Sequence, residues 1–199
     1  MTISELHIKF DLQPENKINI LEVNILEDIA TYCNKGYLFV DSSDGHCYLF
    51  DKNGNEDDVK KLKKIDNGLF YYSNIESIII PDSVKNIGGS AFAHCENLKS
   101  IKMSHSIESI GYKAFAWCKN LKSIKIPDSI KIIKNFAFAC CKSLESIIIP
   151  DSIEKIGYDA FYDCKSLKSL TFKRKTMKQV KKMTRYPFGI EDESIIRCI

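Results

Sequence analysis

Apolar residues recur in this chain at fixed positions of a 23-residue block, and the spacing inside the block alternates between strand-like and turn-like. Four copies, beginning at Ser83, Ser106, Ser129 and Ser152, follow one another without insertion. Leu98, Leu121, Leu144 and Leu167 are followed three residues on by Ile101, Ile124, Ile147 and Leu170, then two on by Met103, Ile126, Ile149 and Phe172. The step of two predicts a short strand with one buried face. Pro81, Pro127 and Pro150 end that strand, because proline removes a ladder donor.

Beyond the turn come Val84, Ile107, Ile130 and Ile153, then Ile87, Ile110, Ile133 and Ile156. Gly88, Gly111 and Gly157 follow, with Lys134 the exception, and glycine here is expected to supply a positive φ. The pairs Ala91-Phe92, Ala114-Phe115, Ala137-Phe138 and Ala160-Phe161 lead to Cys95, Cys118, Cys141 and Cys164 through an expected short helical turn. A degraded fifth copy precedes these, since Asn74 to Ile78 match Asn97 to Ile101, and Leu69 falls where the others carry phenylalanine. One block cannot bury its own apolar face, so the blocks must stack as coils of a solenoid. Parallel strands of neighbouring coils then lie about 4.8 Å apart, and the phenylalanines form a stacked spine.

The pattern Leu-x-x-Ile-x-Ile-Pro-x-Ser-Ile-x-x-Ile-Gly-x-x-Ala-Phe-x-x-Cys resembles the BspA-like, or Treponema-type, class of leucine-rich repeats, over residues 75 to 172. It departs from that pattern at Ser104-His105, in place of Pro-Asp, and at Lys134. The resemblance implies an α/β repeat fold, a leucine-rich-repeat solenoid with a parallel strand face. Relatives of this kind occur in bacteria, protists and giant viruses of amoebae, and those studied resemble adhesins or interaction proteins. The resemblance brings no catalytic residue and no cofactor. The Lys-, Ile- and Asn-rich composition is similar to that of protist and giant-virus proteins.

The sequence divides into a non-repeating module at 1–66, the solenoid at 67–172 and a basic segment at 173–199. In the first, Leu6, Ile8, Phe10 and Leu12 alternate as in a half-buried strand, Ile25 to Cys33 suits a short helix, and Tyr37–Val40 with Cys47–Phe50 reads as a β-hairpin. Both flanks are expected to cover the open ends of the solenoid. The start of the chain offers no continuous apolar stretch of signal-peptide type, and no run approaches the roughly 18 apolar residues of a membrane span. The expected setting is intracellular, cytoplasmic or within a viral particle, with no membrane partner.

The cysteine column has the composition of a metal site without its geometry, because a zinc centre needs thiolates that converge and a ladder cannot converge. Neighbouring Cβ atoms about 4.8 Å apart also exceed the 3.5–4.5 Å of a disulfide. Buried thiols packed as small apolar groups are the expected state. Asp51 to Leu62 opens like a calcium loop but places Glu56 where glycine is required and Leu62 where a glutamate belongs, so Asn53-Gly54 reads as a turn. No phosphate loop, zinc-protease motif or nucleophile elbow is present, so no enzyme is expected and no cofactor implied.

Binding chemistry is concentrated in two places. On the strand face Ser77, Ser100, Ser123, Ser146 and Ser169 form a column, and Lys99, Lys102, Lys122 and Lys125 form a basic square bordered by Glu76 and Glu145, with Ile79 and Ile148 as apolar contacts. This suits an acidic surface of another protein, although repeats copy solvated columns whether or not anything binds. The second place is the run from Lys165 to Arg185, which holds bases and no acid. A helix over 174–184 would lay Met177, Val180 and Met183 on the last coil and expose Lys173, Arg174, Lys175, Lys178, Lys181, Lys182 and Arg185. That edge is either a solvated cap or a site for nucleic acid or phosphate. The formal charge of +3 does not favour a nucleic-acid partner by itself, so protein interaction is the primary reading and nucleic-acid binding the alternative.

Overall fold

The computed structural model describes residues 37–41, 47–51, 64–65, 67–73, 75–80, 82 and 84–199, with side-chain detail from residue 64 onward except at Ile79. The strand expected at Leu6–Leu12, the helix at Ile25–Cys33 and the Asn53-Gly54 turn lie outside the described residues. The hairpin is present as β1 (Tyr37–Asp41) paired antiparallel with β2 (Cys47–Asp51). It is placed at the edge of the solenoid, where β2 lies against β4 (Ser77–Ile79).

Among the described residues three sets of backbone hydrogen bonds join the stacked coils, and on the strand face they are interrupted between the second and third strands. The strand face consists of β4, β6 (Ser100–Lys102), β8 (Ser123–Lys125), β10 (Ser146–Ile149), β12 (Ser169–Phe172) and β13 (Ile196–Cys198). Its pairs are parallel and keep serine opposite serine, as in Ser77↔Ser100 and Ser123↔Ser146↔Ser169. The second ladder joins five two-residue strands: β3 (Lys64–Ile65), β5 (Asn86–Ile87), β7 (Ser109–Ile110), β9 (Ile132–Ile133) and β11 (Lys155–Ile156). The third runs through the Ala-Phe segment, where Phe92, Phe115 and Phe138 donate their amides to the carbonyls of Ala114, Ala137 and Ala160 of the next coil.

The strand columns bury as their spacing predicts, and the phenylalanines stack through the centre. Phe70, Phe92, Phe115, Phe138 and Phe161 are fully buried, with successive centroids 4.9, 5.1, 5.4 and 5.6 Å apart and planes within 8° of parallel. Here the structure corrects the alignment of the first coil. Phe70, not Leu69, takes the spine position, and its amide bonds the Ala91 carbonyl as Phe92 bonds that of Ala114. The first coil is one residue shorter between Tyr72 and Glu76, which a gap-free register cannot reveal.

Two further expectations are corrected. The Ala-Phe segment is a succession of hydrogen-bonded turns rather than a helix, with amide-to-carbonyl bonds such as Cys95 to Phe92 and Ala93 to Ser90. Positive φ is carried not by the glycine column but by Ser90, Lys113, Phe136 and Asp159, and again by His94, Trp117, Cys140 and Asp163. Gly111 and Gly157 are needed for close approach instead. A β-carbon on Gly111 would stand 2.5 Å from the carbonyl carbon and oxygen of Gly88, and one on Gly157 would stand 2.3 Å from the Asn135 amide nitrogen.

The basic segment continues the solenoid. Its helix, α1 (Met177–Lys181), is shorter than the expected 174–184 and begins at a capping box in which Thr176 and Gln179 exchange side-chain and backbone bonds. Val180 is buried, and Met177 and Met183 pack partly against the core. Phe188 then approaches the last coil, where its carbonyl accepts from Phe161 and its ring lies 6.0 Å from Phe172, before β13 adds to β12. The end of the sheet is thus extended by a diverged turn. Among the described residues no helix is long and apolar enough to cross a membrane.

Candidate strand-face binding site

Alternation along β6, β8 and β10 turns Ile101, Ile124 and Ile147 inward and leaves Ser100, Lys102, Ser123, Lys125, Ser146 and Ile148 exposed. Just ahead of the strands Lys99, Lys122, Glu145 and Lys168 are exposed as well. Stacking converts this sequence column into ion pairs between coils. Lys99 Nζ lies 2.8 Å from Glu76, and Lys168 Nζ 3.7 Å from Glu145. Lys102, Lys122 and Lys125 make no ion pair among the described residues. The expected basic square is therefore assembled, with its positive charge concentrated on three of its four members. Exposed pairs of this kind contribute only about 0.2–1 kcal/mol each, so the unpaired lysines matter as charge presented to solvent rather than as stability.

Ile148 is 48% exposed and stands opposite Lys125 in the ladder. Ile79 lies in β4, in register with Lys102. Beside Lys125 and Ile148 a hollow of about 280 Å³ is bounded also by His105, Asp128 and Lys173. Lys173 reaches it from the basic segment and is held there by Asp128 at 3.1 Å. The structure thus joins one residue of the basic edge to the strand face.

The remaining basic-edge residues are dispersed. Lys175 pairs with Asp151 at 3.6 Å and also donates to the Asp151 carbonyl. Arg174, Lys178, Lys181, Lys182 and Arg185 are exposed, the two lysines of α1 lying in or next to its last turn, where cations complement the helix dipole.

Cysteine thiols serve the core. Sγ of Cys95, Cys118, Cys141 and Cys164 donates to the carbonyl oxygen of Phe70, Phe92, Phe115 and Phe138, at 2.9–3.1 Å. Each thiol thus ties the Ala-Phe turn of one coil to that of the coil before. Burial pushes the Cys118 and Cys141 thiols far above the ordinary cysteine range, and that of Cys164 up to about 12. They remain protonated donors at neutral pH. Among the described residues no group of three or more His, Cys, Asp or Glu side chains could hold a metal ion.

One surface feature escapes a reading by identical columns. On the turn edge Tyr72 stacks on His94 at 4.3 Å, and His94 stacks on Trp117 at 5.6 Å. Lys119 and Lys142 each approach the Trp117 ring at 5.8 Å, within cation–π range. Burial holds the His94 imidazole below its usual value. The column reads Tyr, His, Trp, Cys, Asp, so identity scoring overlooks it; scoring columns for ring-bearing side chains would have found its first three members.

Among curated proteins none matches the chain. Among solved structures it is similar to a leucine-rich-repeat protein of T. pallidum, with 21% identity over 82% of this chain and 79% of that one and a TM-score of 0.58. It is similar also to a leucine-rich cell surface protein of Faecalibacterium prausnitzii, with 32% identity over 75% of this chain and a TM-score of 0.58. The pneumococcal vaccine antigen PcpA shares 24% identity over 83% of this chain, with a TM-score of 0.54. The chain spans 41% and 35% of the length of the last two. Residues 63–188 match six copies of the BspA-type leucine-rich repeat region, one more than the visible blocks, and the chain belongs to that family.

Proposed function

We propose that this protein is a non-enzymatic interaction module whose strand face engages an acidic surface of another protein. The observation that carries this reading is the set of exposed lysines at 102, 122 and 125, which have no counter-ion among the described residues, on the strand face beside the exposed Ile148. Neighbouring strands present such charges side by side, and complementary charge steers a partner into place and selects against wrong ones. An apolar contact beside the charges supplies the desolvated area that charge alone lacks. The similarity to the leucine-rich cell surface protein of Faecalibacterium prausnitzii supports a binding role of this general kind, since repeat scaffolds present extended binding surfaces.

Reversing Lys99, Lys102, Lys122 and Lys125 together to glutamate is expected to reduce capture of the partner from the native source at least tenfold, with the unfolding transition retained. Capture by the variant at the unmodified level removes this reading. The alternative, nucleic-acid binding through Arg174, Lys178, Lys181, Lys182 and Arg185, would instead give an affinity for RNA or DNA that falls steeply with salt and survives the strand-face reversal.

A further inference from the structure

Between β6 and β8 the strand-face ladder stops. The two strands are neighbours, yet β4–β6 and β8–β10–β12–β13 form separate sheets. Ahead of the other strands, amides reach back to the preceding coil, Lys99 to Glu76, Glu145 to Lys122 and Lys168 to Glu145, whereas the equivalent bond from Lys122 to Lys99 is absent. The same two coils are bonded elsewhere, through β5–β7 and through the amides of Ser90 and Phe92 to the carbonyls of Tyr112 and Ala114. The missing bonding is therefore local to the strand face.

Its position coincides with a charge conflict. Across this joint Lys99 stands in the column of Lys122, and Lys102 in that of Lys125. Like charges directly opposite on neighbouring strands are destabilising. Elsewhere the chain resolves the same column with acids, as Glu76 with Lys99 and Glu145 with Lys168 show. A single acid at position 125 would resolve it here too, so the sequence keeps a feature that costs stability, as proteins do where a site serves binding.

We infer that this joint is coupled to binding. An extended acidic segment of the partner protein lies across β6 and β8, its carboxylates bridge the two lysine rows, and the joint closes beneath it. The inference rests on the strand-face reading and adds the shape of the ligand and its effect. The rows at 99/122 and 102/125 are three residues apart, roughly 10 Å at 3.3 Å per residue, so about four extended residues span them. An acidic peptide fits better than nucleic acid. Ile148 offers contact to an apolar side chain, which a peptide carries and a phosphodiester backbone lacks. The rings able to stack on bases lie on the turn edge instead.

The test is amide hydrogen exchange on the full chain, alone and with a labelled Glu-Glu-Leu-Glu-Glu-Leu-Glu-Glu peptide, with a thymidine decanucleotide in a parallel arm. In the free chain the amides that β6 and β8 turn toward each other should exchange at least tenfold faster than their counterparts between β10 and β12. The peptide should slow them at least tenfold. Lys125→Glu, which sets an acid opposite Lys102, should slow them without any ligand and weaken peptide binding at least tenfold by fluorescence anisotropy. Equal exchange at the two joints in the free chain overturns the inference, as does protection by the oligonucleotide alone. Peptide binding that requires the lysines but leaves this exchange unchanged also overturns it, while the proposed strand-face function stands.

Discussion

Phe115→Ala is expected to lower the free energy of unfolding by about 3–5 kcal/mol, a large part of the roughly 5–15 kcal/mol that a domain possesses. Phe115 is fully buried and stacks on both sides, at 5.1 Å from Phe92 and 5.4 Å from Phe138. Its backbone also serves two neighbours, donating to the Ala137 carbonyl and accepting from Cys141 Sγ. Removing the ring leaves a cavity between two rings that the surrounding ladders hold in register, so the walls cannot collapse to fill it. Urea unfolding measures the loss. Phe115→Leu should recover much of it, since a smaller void remains. A loss below about 1 kcal/mol would mean that the aromatic spine is not what couples the coils.

Gly111→Ala should destabilise by about 2–3 kcal/mol through collision. The added methyl would lie 2.5 Å from the carbonyl group of Gly88 and 2.7 Å from the Gly89 nitrogen, all backbone atoms that cannot rotate aside. Coil 83–105 and coil 106–128 would have to separate at the glycine column, straining the β5–β7 pairing beside it. Gly89→Ala is the internal control, because its nearest neighbour would be the Tyr112 carbonyl oxygen at 3.4 Å, and its cost should be much smaller. Urea unfolding of both variants decides between close approach and backbone conformation, since neither glycine has a positive φ.

Periodicity made the core legible because a column of leucine or isoleucine at fixed spacing has one cheap explanation, burial against its copies. It also identified Lys102 and Lys125 as outward, since each follows a buried residue within a strand. The role of Gly111 was not legible, because one coil read alone cannot show how near the next one lies. Phe70 was displaced by a one-residue deletion, and Phe188 sits at a longer spacing from Phe161 than the repeat, so a rigid register misses both. The open joint at Lys99, Lys102, Lys122 and Lys125 combines lysines that the sequence displays with a missing ladder that only the stacked coils reveal. Lys173 and Lys175 read in the sequence as part of a uniform basic run, because Asp128 and Asp151, which hold them, are remote along the chain.

The central claim is that the partner lies on the strand face, and site-specific photo-crosslinking tests it most directly. A benzophenone side chain introduced separately at Ser123, at Trp117 and at Lys181 samples the strand face, the turn edge and the basic edge. A crosslink to partner protein is expected from position 123, suppressed by an excess of the acidic peptide, and far less from 117 or 181. A dominant crosslink from position 117 or 181 with none from 123 would contradict it.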